Sequence, residues 1–340
     1  MGNKHSQYTQ DDEFKFLIDE TKLQYGYVIN KGENTTVYVG TYMAKPVAIK
    51  VIQKEKGTDV SAHRNERFLR EVRLLAASKH DNILKFIGFS LEPALTLVTE
   101  IMKGGSLQKH LWHIRPTKLD QKEALVMALE ISRAMAYLHE NGIIHRDLML
   151  NNIFLSEGKK SVKLGDFGQC RERLEGYFST DVGTYRRMAP EVYSRERDGI
   201  RSLTTRYNHK VDVYSFAFVV WELYTNKTPF QGKDINMIKK AVLNNERPIL
   251  DEEDIPFALH DFLQSCWSTD PLQRPEFSAI TKFLEELRSE IEPGWDIIEP
   301  SILASRQENL WMKTKKIITR LVSCLPFRKK PPPSGLLFFP

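Results

Sequence analysis

Three oxygen-bearing side chains between residues 147 and 166 are the first sign of chemistry in this sequence. Asp147 lies in the run HRDLMLNN at 145–152, where its carboxylate can orient an acceptor hydroxyl and take its proton. Asn152 ends that run and Asp166 begins an Asp-Phe-Gly tripeptide, and both carry oxygen ligands of the kind that Mg²⁺ prefers. Together they predict phosphoryl transfer, with Asp147 as the catalytic carboxylate and Asn152 and Asp166 as metal ligands.

A lysine and a glutamate upstream supply the other charges that this chemistry needs. Lys50 ends a Val-Ala-Ile-Lys run on a predicted strand, from which its ammonium can reach the α- and β-phosphates of a nucleotide. Glu71 lies in a segment with helical apolar spacing and can hold the lysine extended through an ion pair. A lone strand lysine is ordinarily a solvated edge residue, but the run around Lys50, Glu71 and the later motifs favour the catalytic role.

The elements that must position these groups fall into two parts. β-branched and aromatic runs predict strands within 25–52, 83–88 and 94–98, a turn near 43–46 and a loop at 53–64. Apolar residues at helical spacing predict helices at 66–77, 121–140, 207–225, 234–244, 258–268 and 276–290. We therefore predict an α+β protein with a small β-rich lobe that contains one key helix and a larger α-helical lobe.

Composition narrows the class of protein further. The 340 residues are 41% hydrophobic and include no apolar run near the ~20 residues that cross a bilayer. No secretory signal is visible, and the three cysteines show neither metal nor disulfide spacing, so we expect a cytoplasmic protein. Residues 301–340 hold eight Lys or Arg and one Glu, a net charge of +7, so the rest of the chain carries −2 of the total of +5. A nearly neutral body with a basic tail argues against nucleic acid as a partner.

Several further motifs carry a family resemblance. They are HDNILKFIG at 80–88, VTE at 98–100, GGSL at 104–107, GTYR at 183–186, DVYSF at 212–216 and DPLQRP at 270–275. With the motifs above, the chain resembles protein kinases of the tyrosine-kinase-like group, and most nearly the plant Raf-like serine/threonine kinases. The resemblance covers 22–290 and implies a bilobal kinase fold, with an N-lobe at 22–98, a hinge at 99–103 and a C-lobe at 104–290.

The resemblance also implies a set of nucleotide contacts. Thr99 would be the gatekeeper, and Glu100 to Met102 would receive adenine through backbone hydrogen bonds. Val37 and Ala48 would enclose the adenine ring, Gly32 would lie over the phosphates, and ATP with Mg²⁺ would be the cofactors.

Other implied roles are structural. Leu75, His145 and Phe167 would stack as a spine between the lobes. Glu191 would pair with Arg274 inside the large lobe, and Asp212 would anchor the backbone of the catalytic loop.

Three departures from the family pattern leave two functions open. Gly32 alone remains of three loop glycines, Met149 replaces a lysine that neutralises the γ-phosphate, and Arg187 replaces a tryptophan. Losing one such positive group costs about 10²–10³ in rate, and the sequence does not show whether Arg186 or Arg187 compensates. A serine/threonine protein kinase with reduced turnover, acting on protein substrates in signalling, is the main interpretation. A pseudokinase scaffold is the alternative.

The loop before residue 189 carries candidate regulatory hydroxyls. A phosphate on Ser179 or Thr180 would pair with Arg146 and order the segment; ordinary solvated hydroxyls are an equal alternative. Thr184 follows the pattern of serine/threonine kinases.

Both ends of the chain suggest a membrane surface as a partner. Residues 1–21 are predicted to be loose and begin with the N-myristoylation pattern M-G-x-x-x-S, with Gly2 as acceptor. Within the tail at 291–340, residues 310–325 read as a basic amphipathic helix that suits an anionic leaflet. Docking on the large lobe or on a calcium sensor is the alternative for that helix. We expect peripheral attachment at the cytoplasmic membrane face; the oligomeric state stays open.

Overall fold

The computed structural model describes residues 15–32, 34–52, 60–172, 185–193 and 208–291. Its first part contains five strands: β1 (Leu23–Lys31), β2 (Thr35–Tyr42), β3 (Lys45–Ile52), β4 (Phe86–Ser90) and β5 (Leu95–Glu100). They form one antiparallel sheet in the order β1-β2-β3-β5-β4. Met43 and Ala44 join β2 to β3 with φ angles of 50° and 62°, the left-handed pair that a type I′ hairpin turn requires.

The one helix of this part, α1 (Val60–Ala77), lies against β4 and β5. Phe68, Val72 and Leu75 recur at helical spacing and are all buried. The loop predicted at 53–64 is wrong for 60–64, where the backbone is already helical. The prediction followed apolar periodicity, and the first turns of this helix precede its apolar stripe.

The second part is mostly helical. Its helices are α2 (Leu107–Ile114), α3 (Gln121–Glu140), α4 (Pro190–Tyr193), α5 (Lys210–Thr225), α6 (Ile235–Leu243), α7 (His260–Cys266) and α8 (Phe277–Ile291). Helix α5 forms the centre, because every residue of it except Ser215 is buried. Helix α3 packs against α8 and α5. The predicted α+β class is confirmed, and the strand-rich first part and the helical second part correspond to the two predicted lobes.

Two short antiparallel strand pairs lie where the candidate catalytic residues are. β6 (Ile143–Ile144) pairs with β9 (Arg171–Glu172), and β7 (Ile153–Leu155) pairs with β8 (Val162–Leu164). The segment 145–152 therefore runs between β6 and β7, and Asp166 follows β8. A strand pair is expected between Asp147 and Asp166 from the family order of motifs, and β7–β8 is that pair. Periodicity alone cannot show any of these strands, because two or three residues are too short for an alternation.

Element ends follow local capping chemistry. The Asp120 carboxylate accepts the backbone N–H of Lys122 at 2.8 Å, so α3 begins at Gln121 as predicted. The predicted strand at 83–88 begins only at Phe86, and the helix predicted from 207 begins at Lys210.

No described helix is long and apolar enough to cross a membrane.

Several predicted sites lie outside the described residues. They are the N-terminal pattern at Gly2, the loop residues Ser179, Thr180 and Thr184, and the basic tail at 301–340.

Candidate active site

One face of the five-stranded sheet carries four of the predicted site residues. In an antiparallel pair, directly opposed residues point to the same face, and so do residues two apart on one strand. Val37 lies opposite Lys50, and Ala48 lies opposite Thr99. Because Ala48 and Lys50 are two apart on β3, all four share a face. Ile49, between them, is fully buried on the other face.

Lys50 holds two carboxylates together. Its Nζ lies 2.8 Å from Oε1 of Glu71 on α1 and 3.0 Å from Oδ1 of Asp166 after β8. The small sheet, its helix and the large lobe thus meet at one ammonium group. Burial by itself would lower the pKa of Lys50, but Asp166 and Glu71 outweigh it and raise that pKa. Lys50 is therefore a permanent cation at neutral pH.

The two carboxylates differ in their proton affinity. Burial raises the pKa of Glu71 above its ordinary value, against the opposing pull of Lys50. The Lys50 ammonium lowers the pKa of Asp166, whose side chain is 44% exposed. Asp166 therefore stays ionised and is open to a ligand from the cleft. Its φ of 58° is a left-handed conformation that a non-glycine residue adopts only under constraint.

Asn152 and Asp147 are directly connected. Asn152 Nδ2 donates to the backbone carbonyl of Asp147 at 2.8 Å and to its Oδ2 at 2.9 Å. The backbone carbonyl of Asn152 accepts the N–H of Gly165 at 2.8 Å, which fixes the loop beside the segment that carries Asp166. Since the amide nitrogen of Asn152 is engaged, its amide oxygen is the atom that suits a hard cation.

Asp212 anchors the backbone of the segment before Asp147. Its two carboxylate oxygens accept the N–H groups of His145 at 2.8 Å and Arg146 at 2.7 Å. Arg146 has a φ of 69°, a strained value that these bonds hold in place. Burial would raise the pKa of Asp212, but the hydrogen bond from His139 and the adjacent N–H groups lower it. The anchor is therefore an ionised carboxylate.

Packing and one ion pair support the site from behind. His145 and Phe167 meet edge to face, with ring centroids 5.6 Å apart, and Leu75 is buried in the same core. Arg274 is fully buried and binds both oxygens of Glu191, at 2.7 and 2.8 Å.

The segment predicted to receive adenine follows β5 directly. Thr99 is buried at the end of that strand. The Glu100 carboxylate accepts the N–H of Lys85 and the ammonium of Lys163, both at 2.7 Å, so its side chain is turned away from ligand binding. The Met102 carbonyl accepts the N–H of Gly105 at 3.1 Å. The Glu100 N–H donates to the carbonyl of Lys85 at 3.0 Å, so the Met102 N–H and a lone pair of the Glu100 carbonyl are backbone groups that stay available for the predicted adenine contact.

The predicted phosphate loop is a tight hairpin between β1 and β2. The Gly32 N–H donates to the carbonyl of Thr35 at 2.8 Å, so this donor closes the hairpin. A Cβ at Gly32 would lie 3.0 Å from Oγ1 of Thr35, closer than ordinary contact allows. A side chain at position 32 would therefore require the Thr35 hydroxyl to shift by a few tenths of an ångström.

Two departures from the family pattern lie in one cavity beside Asp147. Met149 and Arg187 line it together with Asp147. Arg187 is buried, and its guanidinium donates to both oxygens of Glu222, at 2.6 and 2.7 Å. Arg186 instead donates to backbone carbonyls at 229–233.

These contacts show whether either arginine can compensate for the lysine that Met149 replaces. The charge that Arg187 introduces in place of an aromatic ring is neutralised by a buried carboxylate. The guanidinium of Arg186 is held by the loop at 229–233 and does not replace the missing lysine. Sequence analysis missed Glu222; its only signal was a charge within the apolar helix pattern at 213–223.

Comparisons with known proteins agree with this geometry. The family model described as protein tyrosine and serine/threonine kinase matches residues 23–284. The Arabidopsis thaliana serine/threonine/tyrosine-protein kinase HT1 is 35% identical over 91% of this chain and 77% of its own length. The Arabidopsis serine/threonine-protein kinase STY46 is 34% identical over 81% of this chain and 46% of its length. A Drosophila melanogaster mitogen-activated protein kinase kinase kinase is 33% identical over 79% and 23%.

Proposed function

This chain belongs to the protein tyrosine and serine/threonine kinase family, whose members use ATP and Mg²⁺, and we propose that it phosphorylates serine and threonine hydroxyls of protein substrates in intracellular signalling. One observation carries the proposal. Lys50 joins Glu71 and Asp166, while Asn152 is bonded to Asp147. This arrangement offers a cation for the phosphates, two side-chain oxygens that would hold a metal ion, and a carboxylate that would receive the acceptor proton.

Each residue has a role that its contacts support. Lys50, held by Glu71, would bind the α- and β-phosphates, and Asp166 with the amide oxygen of Asn152 would hold magnesium. The magnesium ion, when bound, neutralises charge on the phosphates. Asp147 would orient the acceptor hydroxyl and accept its proton, because Asn152 fixes the position of its carboxylate.

The adenine end of the cleft is proposed from the sheet face. Val37 and Ala48 would lie against the ring, with Thr99 at its back, and backbone groups at Glu100 and Met102 would bind its edge. Gly32 would let the hairpin lie close to the phosphates.

Serine/threonine preference rests on the relatives, whose names include serine/threonine-protein kinases and one serine/threonine/tyrosine-protein kinase. The chain spans 46% of the length of two of the first three relatives. The substrates and partners of those proteins are therefore not assigned to it.

The test is transfer of radiolabelled γ-phosphate to a generic protein substrate. We expect wild-type incorporation to exceed that of Asp166→Asn by at least about 10², because the variant lacks the metal-ligand charge. Asp261→Asn, at an exposed aspartate of α7, is the matched control and should keep wild-type activity. Incorporation no greater than that of Asp166→Asn would refute catalysis and favour the scaffold function. Phosphoamino-acid analysis of the product separates serine and threonine from tyrosine.

We further propose that Gly2 is myristoylated and that the basic tail adds a second membrane contact. A single acyl chain gives only marginal binding, so a second contact is needed for stable attachment. Cells expressing the chain from Met1 are fractionated beside Gly2→Ala and beside a variant with neutral residues at 328–330. Each variant should move to the soluble fraction. Identical distributions of wild type and Gly2→Ala would refute the lipid anchor.

A further inference from the structure

Three helix ends of the large lobe bring two histidines and a glutamate together, outside the cleft. His139 lies at the end of α3, His209 immediately before α5, and Glu276 immediately before α8. One ligand atom from each, a ring nitrogen or a carboxylate oxygen, lies within 4.8 Å of the other two. The histidine rings meet edge to face, with centroids 5.0 Å apart.

The inner histidine has one nitrogen occupied and one without a partner. His139 is buried, and its Nε2 lies 2.9 Å from Oδ2 of Asp212. Since Asp212 is ionised, Nε2 carries the proton and donates it. Nδ1 then bears a lone pair, and it has no hydrogen-bond partner in the described part of the chain. An unsatisfied buried acceptor is unfavourable, so this atom calls for a ligand.

Glu276 is held by two neighbouring donors, one at each carboxylate oxygen. His209 Nε2 lies 2.7 Å from Oε2 of Glu276, and Lys210 Nζ lies 2.8 Å from Oε1 of the same carboxylate. A cation at Oε2 would replace the proton between His209 and Glu276, while Lys210 keeps Oε1.

We propose that His139, His209 and Glu276 form a binding site for a divalent transition-metal ion of the Zn²⁺ class. Two imidazoles and one carboxylate, with water as fourth ligand, match the ligand set of tetrahedral zinc. Ligand atoms of such a site are about 3.3 Å apart at the usual bond lengths. His209 Nε2 and Glu276 Oε2 are already 2.7 Å apart and would separate slightly, while the half-buried His209 and the exposed Glu276 move toward His139 by up to about an ångström. Imidazole nitrogens disfavour Mg²⁺ and Ca²⁺.

Asp212 connects the proposed metal site to the catalytic segment. Asp212 receives the Nε2–H of His139, the arrangement in which a carboxylate orients a metal-bound histidine. The same carboxylate accepts the N–H groups of His145 and Arg146. A bound ion would therefore tie the ends of three helices together and hold the anchor of the catalytic segment. Its main effect is stabilisation of the large lobe.

The test uses the full, untagged chain after removal of metal with a chelator. Zn²⁺ is titrated by calorimetry and by thermal denaturation, with Mg²⁺ as the hard-cation control. Wild type should bind one equivalent of Zn²⁺, and the affinity should fall when a ligand of the cluster is replaced. Its Tm should rise about 5–10 °C when free Zn²⁺ is about 100 times Kd. Co²⁺ bound in its place should give the intense visible spectrum of a tetrahedral complex.

Two variants remove ligands with little disturbance. His209→Gln keeps a donor for Glu276 but lacks the imidazole, and Glu276→Gln removes the anionic oxygen. Each should weaken Zn²⁺ binding at least about tenfold, while His113→Ala, at an exposed histidine of α2, should bind like wild type. Circular dichroism of the metal-free variants checks that they are folded. A binding measurement on either folded variant is enough to decide the test. Equal affinity of wild type and a folded ligand variant, or no Zn²⁺ binding by wild type, would overturn the proposal and leave an ion-paired cluster.

Discussion

The buried pair of Arg187 and Glu222 gives the sharpest prediction about stability. Both side chains are almost completely excluded from solvent, with 5% and 2% of their surface exposed. Two hydrogen bonds of 2.6 and 2.7 Å join the guanidinium fork to the carboxylate. Arg187→Met keeps an unbranched apolar stem and removes the charged guanidinium, so the Glu222 carboxylate is left buried without this partner.

The magnitude follows from the burial. Removing one partner of a buried ion pair destabilises a protein by about 3–5 kcal/mol, because the remaining charge is uncompensated. For a domain of this size, each 1 kcal/mol lowers Tm by about 2–4 °C. We therefore expect Arg187→Met to melt about 10 °C below wild type. Replacing both residues, as Arg187→Met with Glu222→Gln, should recover about half of that loss.

The pH dependence has a definite sign. Burial already raises the pKa of Glu222, against the pull of Arg187, and removing Arg187 raises it further. A carboxyl whose folded-state pKa lies above its unfolded value favours folding while it is protonated. That advantage is lost as the pH rises through the folded pKa. The deficit of Arg187→Met should therefore be smallest near pH 5 and largest above neutral pH.

The assay is a double-mutant cycle by urea denaturation at two pH values, with circular dichroism as the readout. Arg186→Met is the matched control, because that guanidinium bonds only to backbone carbonyls among its described contacts. Arg186 also lowers the pKa of Glu222, but less than Arg187 does, so the effect of Arg186→Met should change less between pH 5 and pH 8 than that of Arg187→Met. A deficit of Arg187→Met under about 1 kcal/mol, or a double variant as unstable as the single one, would show that the carboxylate is not left uncompensated.

Two further predictions concern the cleft and the large lobe. Met149→Lys adds an ammonium group to the cavity that Asp147 lines, and it should raise kcat about tenfold or more in the phosphate-transfer assay. Met237→Lys, at an exposed methionine of α6, is the control and should leave kcat unchanged. Equal rates for the two variants would contradict the prediction. Asp254 accepts the ammonium groups of Lys118 and Lys227, so Asp254→Asn should cost about 1 kcal/mol, since both lysines are partly exposed. Burial would raise the pKa of Asp254, but the two lysines lower it; the difference in unfolding free energy should persist down to about pH 4 and shrink below it, and a constant difference at pH 2 would contradict the ion pairs.

Local chemistry explains which parts of the fold the sequence predicted. Helix α3 matches its predicted range because an aspartate cap stands before it and its apolar stripe runs its whole length. The contact between Lys50 and Glu71 was expected because both residues stand in motifs with a known spatial relation. The start of α1 was missed because a first helical turn needs no apolar face. The pairs β6–β9 and β7–β8 are too short for any periodic signal.

Contacts between distant residues account for what the sequence did not predict at the site. Arg187 and Glu222 lie 35 positions apart, and only the packing of α5 brings them together. The cluster of His139, His209 and Glu276 depends on three helix ends meeting. The hairpin bond of Gly32 is local, yet the family pattern predicted phosphate binding there and gave no reason to expect a bond to Thr35.

The two departures beside Asp147 must be considered together. Met149 removes a positive charge from the cavity and Arg187 brings one to its wall, so the number of cations near the acceptor site is the same as in the family pattern. The position differs, because Glu222 holds the guanidinium from behind and neutralises it. An arginine fixed in this way adds little field at the transferred phosphate. Because Glu222 neutralises Arg187, a lysine at position 149 would not be repelled by it. The new ammonium would restore a positive charge near the transferred phosphate, so the substitution should accelerate transfer.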